Sequence, residues 1–371
     1  MRVAIIHDYL NQFGGAERVL EVLHELFPAA PIFALVYDKR ALPQYAGWDI
    51  RTSFLQKVPF VKQGYRNFVF LFPRAIASFK LRGYDLVISN THAWGKGINL
   101  DGDTLHICYC LTPMRYIWDL YQDYIRYEHI PFPARWILPF WARRMRRWDR
   151  QSALKVAHFI AISRTVAKRI ENYYQRDSVI IYPPCDTDFF KPDGSLDSGY
   201  YLAVSRLKSY KRMDILVGAF NKLGLPLKVA GEGPELKRLR QNANGNIEFT
   251  GRIADEELLK AYQGCKALVF CGNEDFGLTM VEAQACGKPV IAYYRGGAKE
   301  IVIEGKTGMF FYEQTPQSLA QAIERFSGLR FDRSYIRESS LRFSKEKFKA
   351  LFSDFIAKKL SAGQFPLPRD I

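Results

Sequence analysis

The sequence predicts an α/β protein of two Rossmann-like domains facing across a deep cleft. Three observations predict it. Short apolar runs of strand length alternate with segments of helical periodicity, and this alternation restarts about halfway along the chain. At 371 residues the chain is long enough for two domains. Between the two sets stands Pro183-Pro184, with an irregular stretch from Asp186 to Gly199 behind it, the best place for an interdomain linker. The expected division is residues 1–184 and residues 185–344, followed by a last helix over about 345–360.

Taken in order, Arg2 to His7 reads as a buried strand. It leads through Gly14-Gly15 into a helix carrying Leu20, Leu23, Leu26 and Phe27 at helical spacing. A strand, a glycine pair and a helix permit close approach of a ligand to the backbone. G-x-G-x-x-G is absent, so a standard dinucleotide fingerprint is not supported. Asp85 to Asn90 is a strand ending at Thr91-His92, and a histidine just past a strand end is well placed for chemistry in a parallel sheet. Alone it reads equally as a hydrogen-bonding histidine under a loop, and His7 is read that way. Leu105 to Leu111 forms a strand running into Thr112-Pro-Met-Arg-Tyr-Ile-Trp-Asp119. The stretch 135–148 interleaves Trp with Arg, which suits an interfacial membrane segment, base stacking, or a helix with its aromatic face turned inward. Phe159 to Ser163 is a strand with a Ser cap before a helix, and Ser178 to Tyr182 is the next strand.

The second half repeats the scheme. Tyr200 to Leu207 is a strand running into Arg206 and Lys211, and Leu227 to Ala230 runs into Gly231-Glu-Gly233. Ile247 to Phe249 leads to Arg252 and Ile253, and Ala267 to Phe270 opens the most informative stretch, FCGNEDFGLTMVEAQACGKPVIAYYRGG. There a polar loop at the carboxyl end of a strand enters a helix at about Leu278, and Gly287 and Pro289 stop it. Free N–H groups and the positive dipole end at a helix start favour a phosphate. Locally, Thr279-Met-Val-Glu282 also fits a capping box.

Composition narrows the classes. The chain is 48% hydrophobic and 25% charged, and no apolar run reaches the roughly 18 residues that span a bilayer. MRVAIIHDYL is too short and too soon acidic for a secretory signal. Six cysteines without C-x-x-C argue against metal clusters and disulfides and for a reducing cytoplasm, and Cys108-x-Cys110 reads as strand packing. The net charge of +15 is concentrated in the first half, which suggests an anionic partner. Asp101-Gly-Asp103 reads as turn chemistry rather than as a metal motif.

The string E-D-F-G-L-T-M-V-E-A-Q-A-C-G-K-P-V closely resembles the Glu-x7-Glu signature of the family 4 retaining glycosyltransferases, which have the GT-B fold. The resemblance covers nearly the whole chain. It implies transfer of a sugar from a nucleotide sugar with no metal and no further cofactor. It further implies that Arg206 and Lys211, matching R-x4-K, hold the donor diphosphate. Glu274 would bond the sugar hydroxyls, and Glu282 the ribose. Phe276, Gly277 and Leu278 would contact the sugar, Thr279 would sit near the phosphates, and Arg252 and Ile253 would border the base. Gly14 and Gly15 match a loop beside the diphosphate or the acceptor. His92 matches a histidine that touches the donor sugar near the reacting carbon. By the same resemblance the last helix packs back across the first domain.

TPMRYIWD is similar to segments of bacterial surface-polysaccharide mannosyltransferases. This implies GDP-mannose as donor and a lipid-linked glycan as acceptor. The expected place is the cytoplasm, peripheral at the inner membrane face, where the basic, aromatic first half would touch anionic lipid, with no nucleic-acid partner. A UDP sugar such as UDP-glucose or UDP-N-acetylglucosamine is the alternative donor. A sugar-nucleotide epimerase and a nucleic-acid binder are the rival classes, but no nucleic-acid motif is present.

Overall fold

The computed structural model describes residues 1–119, 121 and 132–361. The chain divides into two compact units, Met1–Tyr182 with Lys349 onward, and Pro183–Phe348.

The first unit is built on a parallel sheet of seven strands among the described residues. These are β1 (Val3–His7), β2 (Ile32–Ala34), β3 (Ile50–Thr52), β4 (Leu86–Thr91), β5 (Leu105–Cys110), β6 (His158–Ala161) and β7 (Ser178–Ile180). Their order is β3-β2-β1-β4-β5-β6-β7, so the direction of winding reverses between β1 and β4. Strands β1, β4 and β5 are buried throughout, as central strands of a parallel sheet covered on both faces are. Ser163 caps the helix Arg164–Tyr174 by accepting from the Val166 N–H at 3.1 Å. The last helix, Lys345–Ser361, sets Phe352 against Tyr109 and Phe355 against His158, and Lys349 pairs with Glu25 at 2.6 Å.

The second unit repeats the plan with β8 (Tyr201–Val204), β9 (Leu227–Ala230), β10 (Ile247–Gly251), β11 (Leu268–Phe270), β12 (Val290–Tyr293) and β13 (Gly308–Phe311). The order is β10-β9-β8-β11-β12-β13, again all parallel, with its reversal between β8 and β11. Strand β8 ends at Val204, earlier than expected. The residues up to Lys211 form an irregular loop with one 3-10 turn, Ser209–Lys211.

All six cysteines are free and buried. Asp101 to Asp103 lies in an exposed turn closed by the Thr104 N–H on the Asp101 carbonyl at 3.1 Å. Among the described residues no helix is long and apolar enough to cross a membrane.

The Trp/Arg segment lies on the helix Phe132–Leu154, and its residues divide by face. Trp141 and Trp148 pack on the first unit's core, with Trp148 5.2 Å from Trp94. Trp136 and Phe140 point outward, 77% and 72% exposed. Part of the aromatic stretch before this helix, 120 and 122–131, lies outside the described residues.

Candidate active site

In an open parallel sheet, the carboxyl ends of the two strands flanking the winding reversal splay apart and leave room for a ligand. Most of the candidate residues lie at the two such points, one in each unit, while Arg252 and Ile253 follow the edge strand β10.

At the first point, β1 delivers Asp8 and β4 delivers His92. Asp8 is fully buried and accepts hydrogen bonds on both oxygens. Thr91 Oγ1 donates at 2.6 Å, the backbone N–H groups of Trp94 and Gly95 at 2.8 Å each, and those of His92 and Ala93 at 2.8 and 3.0 Å. The His92 Nδ1 stands 3.0 Å from the same carboxylate. An ionised carboxylate only accepts, so Nδ1 carries a proton and the ring's tautomer is set. Nε2 lies 2.7 Å from the Tyr9 hydroxyl. Burial alone would raise the Asp8 pKa, but the His92 charge and the hydrogen bonds from His92 and Thr91 hold it well below the usual carboxylate range. Burial opposes charge on His92 too, yet Asp8 wins and the imidazole pKa lies above its ordinary value.

His7 is tied to Glu17 at 3.3 Å and to the Asn90 amide at 3.3 Å. Gly14 caps and Gly15 begins the helix Gly15–Leu26, so both stand at a helix N-terminus beside this cluster.

At the second point, Lys211 follows β8 and Glu274 follows β11. Lys211 Nζ and Glu274 Oε1 are 2.5 Å apart, and both side chains are mostly buried. Arg206 stands exposed just past β8. Gly277, at φ +104°, caps the helix Leu278–Ala285 with no side-chain hydrogen bond. The capping-box alternative is therefore not realised. Glu282 lies inside the helix, 4% exposed, and its Oε2 accepts from the buried Tyr262 hydroxyl at 2.8 Å. Phe276 is buried, while Leu278 and Thr279 are half-buried at the helix start. Arg252 is exposed and Ile253 half-buried at the end of β10.

Two glycine turns hold these loops. The Gly297 N–H donates to the Glu274 carbonyl at 2.9 Å. A Cβ on Gly296 would lie 2.0 Å from that carbonyl oxygen, and one on Gly297 2.2 Å from the Phe276 carbonyl oxygen. Likewise the turn holding Gly231 and Gly233 presses on Ser205 and Leu207, with the Leu207 N–H donating to the Glu232 carbonyl at 2.8 Å.

Sequence reasoning thus missed Asp8, Tyr262 and the Gly296-Gly297 turn. Asp8 is adjacent to His7 in plain view, but its partners lie 83 to 87 residues away. The signal available for the glycine pair was its position one strand after the Glu274 loop.

Two units, each a parallel sheet with polar side chains at its winding reversal, follow the plan of the GT-B fold. Glycosyl transferases group 1 matches residues 186–343, and Glycosyltransferase Family 4 matches residues 13–189. The chain belongs to the family 4 glycosyltransferases. It is similar to the O-antigen chain mannosyltransferase C of Escherichia coli, at 26% identity over 42% of this chain and 44% of that one. It is also similar to a GDP-mannose-dependent alpha-(1-6)-phosphatidylinositol monomannoside mannosyltransferase of Mycobacterium tuberculosis, at 32% identity over 38% of this chain and 44% of that one. The aligned stretches span about half or less of the curated relatives' lengths. In fold it resembles HepE of Anabaena, solved in complex with UDP-glucose. The TM-score is 0.70 at 19% identity, covering 96% of this chain and all of that one.

Proposed function

We propose that the protein transfers mannose from GDP-mannose, with retention and without metal, onto a lipid-linked glycan of a surface polysaccharide at the inner face of the cytoplasmic membrane. The observation that carries this reading is the Lys211–Glu274 pair, held at the winding reversal of the second sheet. The second unit would bind the nucleotide sugar and the first the acceptor. Breaking the bond from the anomeric carbon to the diphosphate puts negative charge on the leaving oxygen and positive charge on the ring. Fixed groups aimed at these charges supply the acceleration.

Arg206 and Lys211 would meet the diphosphate, the first by a planar fork and the second as a point charge. Glu274, released from Lys211 as the phosphates arrive, would take the sugar hydroxyls. Glu282, its second oxygen steadied by Tyr262, would hold the ribose. Phe276, Gly277, Leu278 and Thr279 would line the sugar and phosphates, Arg252 and Ile253 the base, and Gly14 and Gly15 the donor diphosphate or the acceptor. His92, its Nδ1 held by Asp8, would meet a sugar hydroxyl through Nε2. The acceptor oxygen attacks the anomeric carbon on the face the diphosphate leaves, and its proton passes to the leaving phosphate oxygen. The products are the glycosylated acceptor and GDP. The mannosyltransferase names among the relatives, together with TPMRYIWD, support this donor.

The experiment is a thermal-shift titration with GDP, GDP-mannose, UDP, UDP-glucose and UDP-N-acetylglucosamine in EDTA. A ligand that binds only the native state raises the midpoint. The guanosine series is expected to stabilise the protein, and Lys211→Ala to abolish the shift. A shift by the uridine series alone refutes the donor, and no shift by either series refutes the transferase site.

A further inference from the structure

We propose that the outer face of the helix Phe132–Leu154 binds a diphosphate carried on a lipid chain, at a site separate from the Lys211–Glu274 cluster. The inference rests on the lipid-linked acceptor of the reading above and gives its anionic group a place. A hollow of about 510 Å³ opens there, lined by Trp118, Arg143, Arg146, Arg147, Arg150 and Gln151. Among the described residues none of the four arginines pairs with a carboxylate. Like charges three and four apart on a helix repel, so an anion in the hollow removes a cost the free protein bears.

Two of the four are already aimed. Arg146 Nε donates to the Ile117 carbonyl at 2.6 Å, and Arg150 Nε to the Tyr173 carbonyl at 3.0 Å. Their guanidiniums lie 5.5 and 5.0 Å from the centre of the Trp118 ring. Trp118 is itself fixed, stacked on Tyr173 at 4.5 Å and donating to Asp149 at 2.8 Å. Asp149 holds the buried Lys96 at 2.6 Å, and Lys96 donates to the Ala93 carbonyl at 2.5 Å, one residue past His92. The wall of the hollow is thus bonded through two buried charges to the loop that carries His92.

The chemistry of the ligand follows from the stripe on which the cations stand. Residues 136, 140, 143, 147 and 150 share one helical face. Its first part is the exposed pair Trp136 and Phe140, and its second is Arg143, Arg147 and Arg150. Arginine forks match phosphate oxygens, and exposed Trp and Phe beside them suit the start of an apolar tail. A nucleic acid fits less well. With Tyr173 stacked on Trp118 and two guanidiniums over its ring, little of the indole is left for a base, and a single hollow is not a track along a strand.

The test uses the whole protein and isothermal titration with farnesyl diphosphate, inorganic diphosphate, farnesol, and phosphatidylcholine vesicles with or without phosphatidylglycerol. Farnesyl diphosphate is expected to bind at least roughly tenfold tighter than inorganic diphosphate or farnesol. The exposed double variant Arg143→Gln/Arg147→Gln is expected to weaken it by roughly tenfold or more. The nucleotide thermal shift should be unchanged in that variant. Equal binding by variant and wild type overturns the proposal. So does displacement of farnesyl diphosphate by GDP, or binding only to anionic vesicles. A wild type that binds farnesyl diphosphate but shifts with no nucleotide would leave this site standing and remove the transferase reading instead.

Discussion

Replacing Tyr262 by Phe removes one oxygen and nothing else from the second unit's core. Tyr262 is fully buried, and its hydroxyl donates at 2.8 Å to a Glu282 carboxylate that is itself 4% exposed. Water cannot replace the lost donor without repacking. A hydrogen bond to a charged group is worth about 1.5–3 kcal/mol, so Tyr262→Phe should cost the unit about 2 kcal/mol. For a unit of this size that lowers Tm by about 4–8 °C. Calorimetry on the single variants and on Tyr262→Phe/Glu282→Gln completes a cycle whose coupling should be about 1–2 kcal/mol. If Glu282 holds the ribose, the same variant must also bind nucleotide more weakly, because the carboxylate loses the group that orients it. A variant as stable as wild type, or a coupling near zero, refutes the claim that this hydrogen bond holds Glu282.

Further outcomes follow from the same geometry. Lys211→Ala should lower kcat/KM for sugar transfer by about 10²-fold or more, measured with saturating acceptor, since it removes a cation expected to meet the leaving diphosphate. Gly296→Ala puts a methyl 2.0 Å from the Glu274 carbonyl oxygen at φ +58°, and should destabilise by about 1–3 kcal/mol while lowering activity through the displaced loop. Burial pushes the His106 pKa from 6.5 down to about 4, so the folded protein refuses a proton that the unfolded chain takes. Stability attributable to His106 is therefore intact above pH 6.5 and falls by roughly 3 kcal/mol as pH drops to about 4. Urea titrations across that window should show a shallower fall for His106→Gln. His92, with its pKa raised, acts oppositely: its contribution is full below pH 6.5 and fades as pH rises through the folded value.

The local frame of the candidate site was legible because strand ends and helix starts are local. The run Ala267–Phe270 and the stop at Gly287 bracketed a loop and a helix, and the structure has both within a few residues. What escaped were groups whose meaning is a distance. Tyr262 looks like any core aromatic until β11 and the following helix bring Glu282 to its hydroxyl. The glycines at 296 and 297 look like an ordinary turn until the Glu274 carbonyl is found against them. The strands β2, β3 and β13, of three or four residues each, were not read from the sequence.

The chain by itself determined the alternation of strand and helix and the family signature around Glu274. These depend on side-chain type at short spacing, and burial on both faces of a parallel strand writes itself into the sequence as an apolar run. Only the tertiary structure decided the strand order, and with it the two winding reversals where Asp8 meets His92 and Lys211 meets Glu274. It also decided which aromatics of the 135–148 stretch turn inward. A helix periodicity shows that faces exist, but the face that is covered depends on what the rest of the chain packs against it.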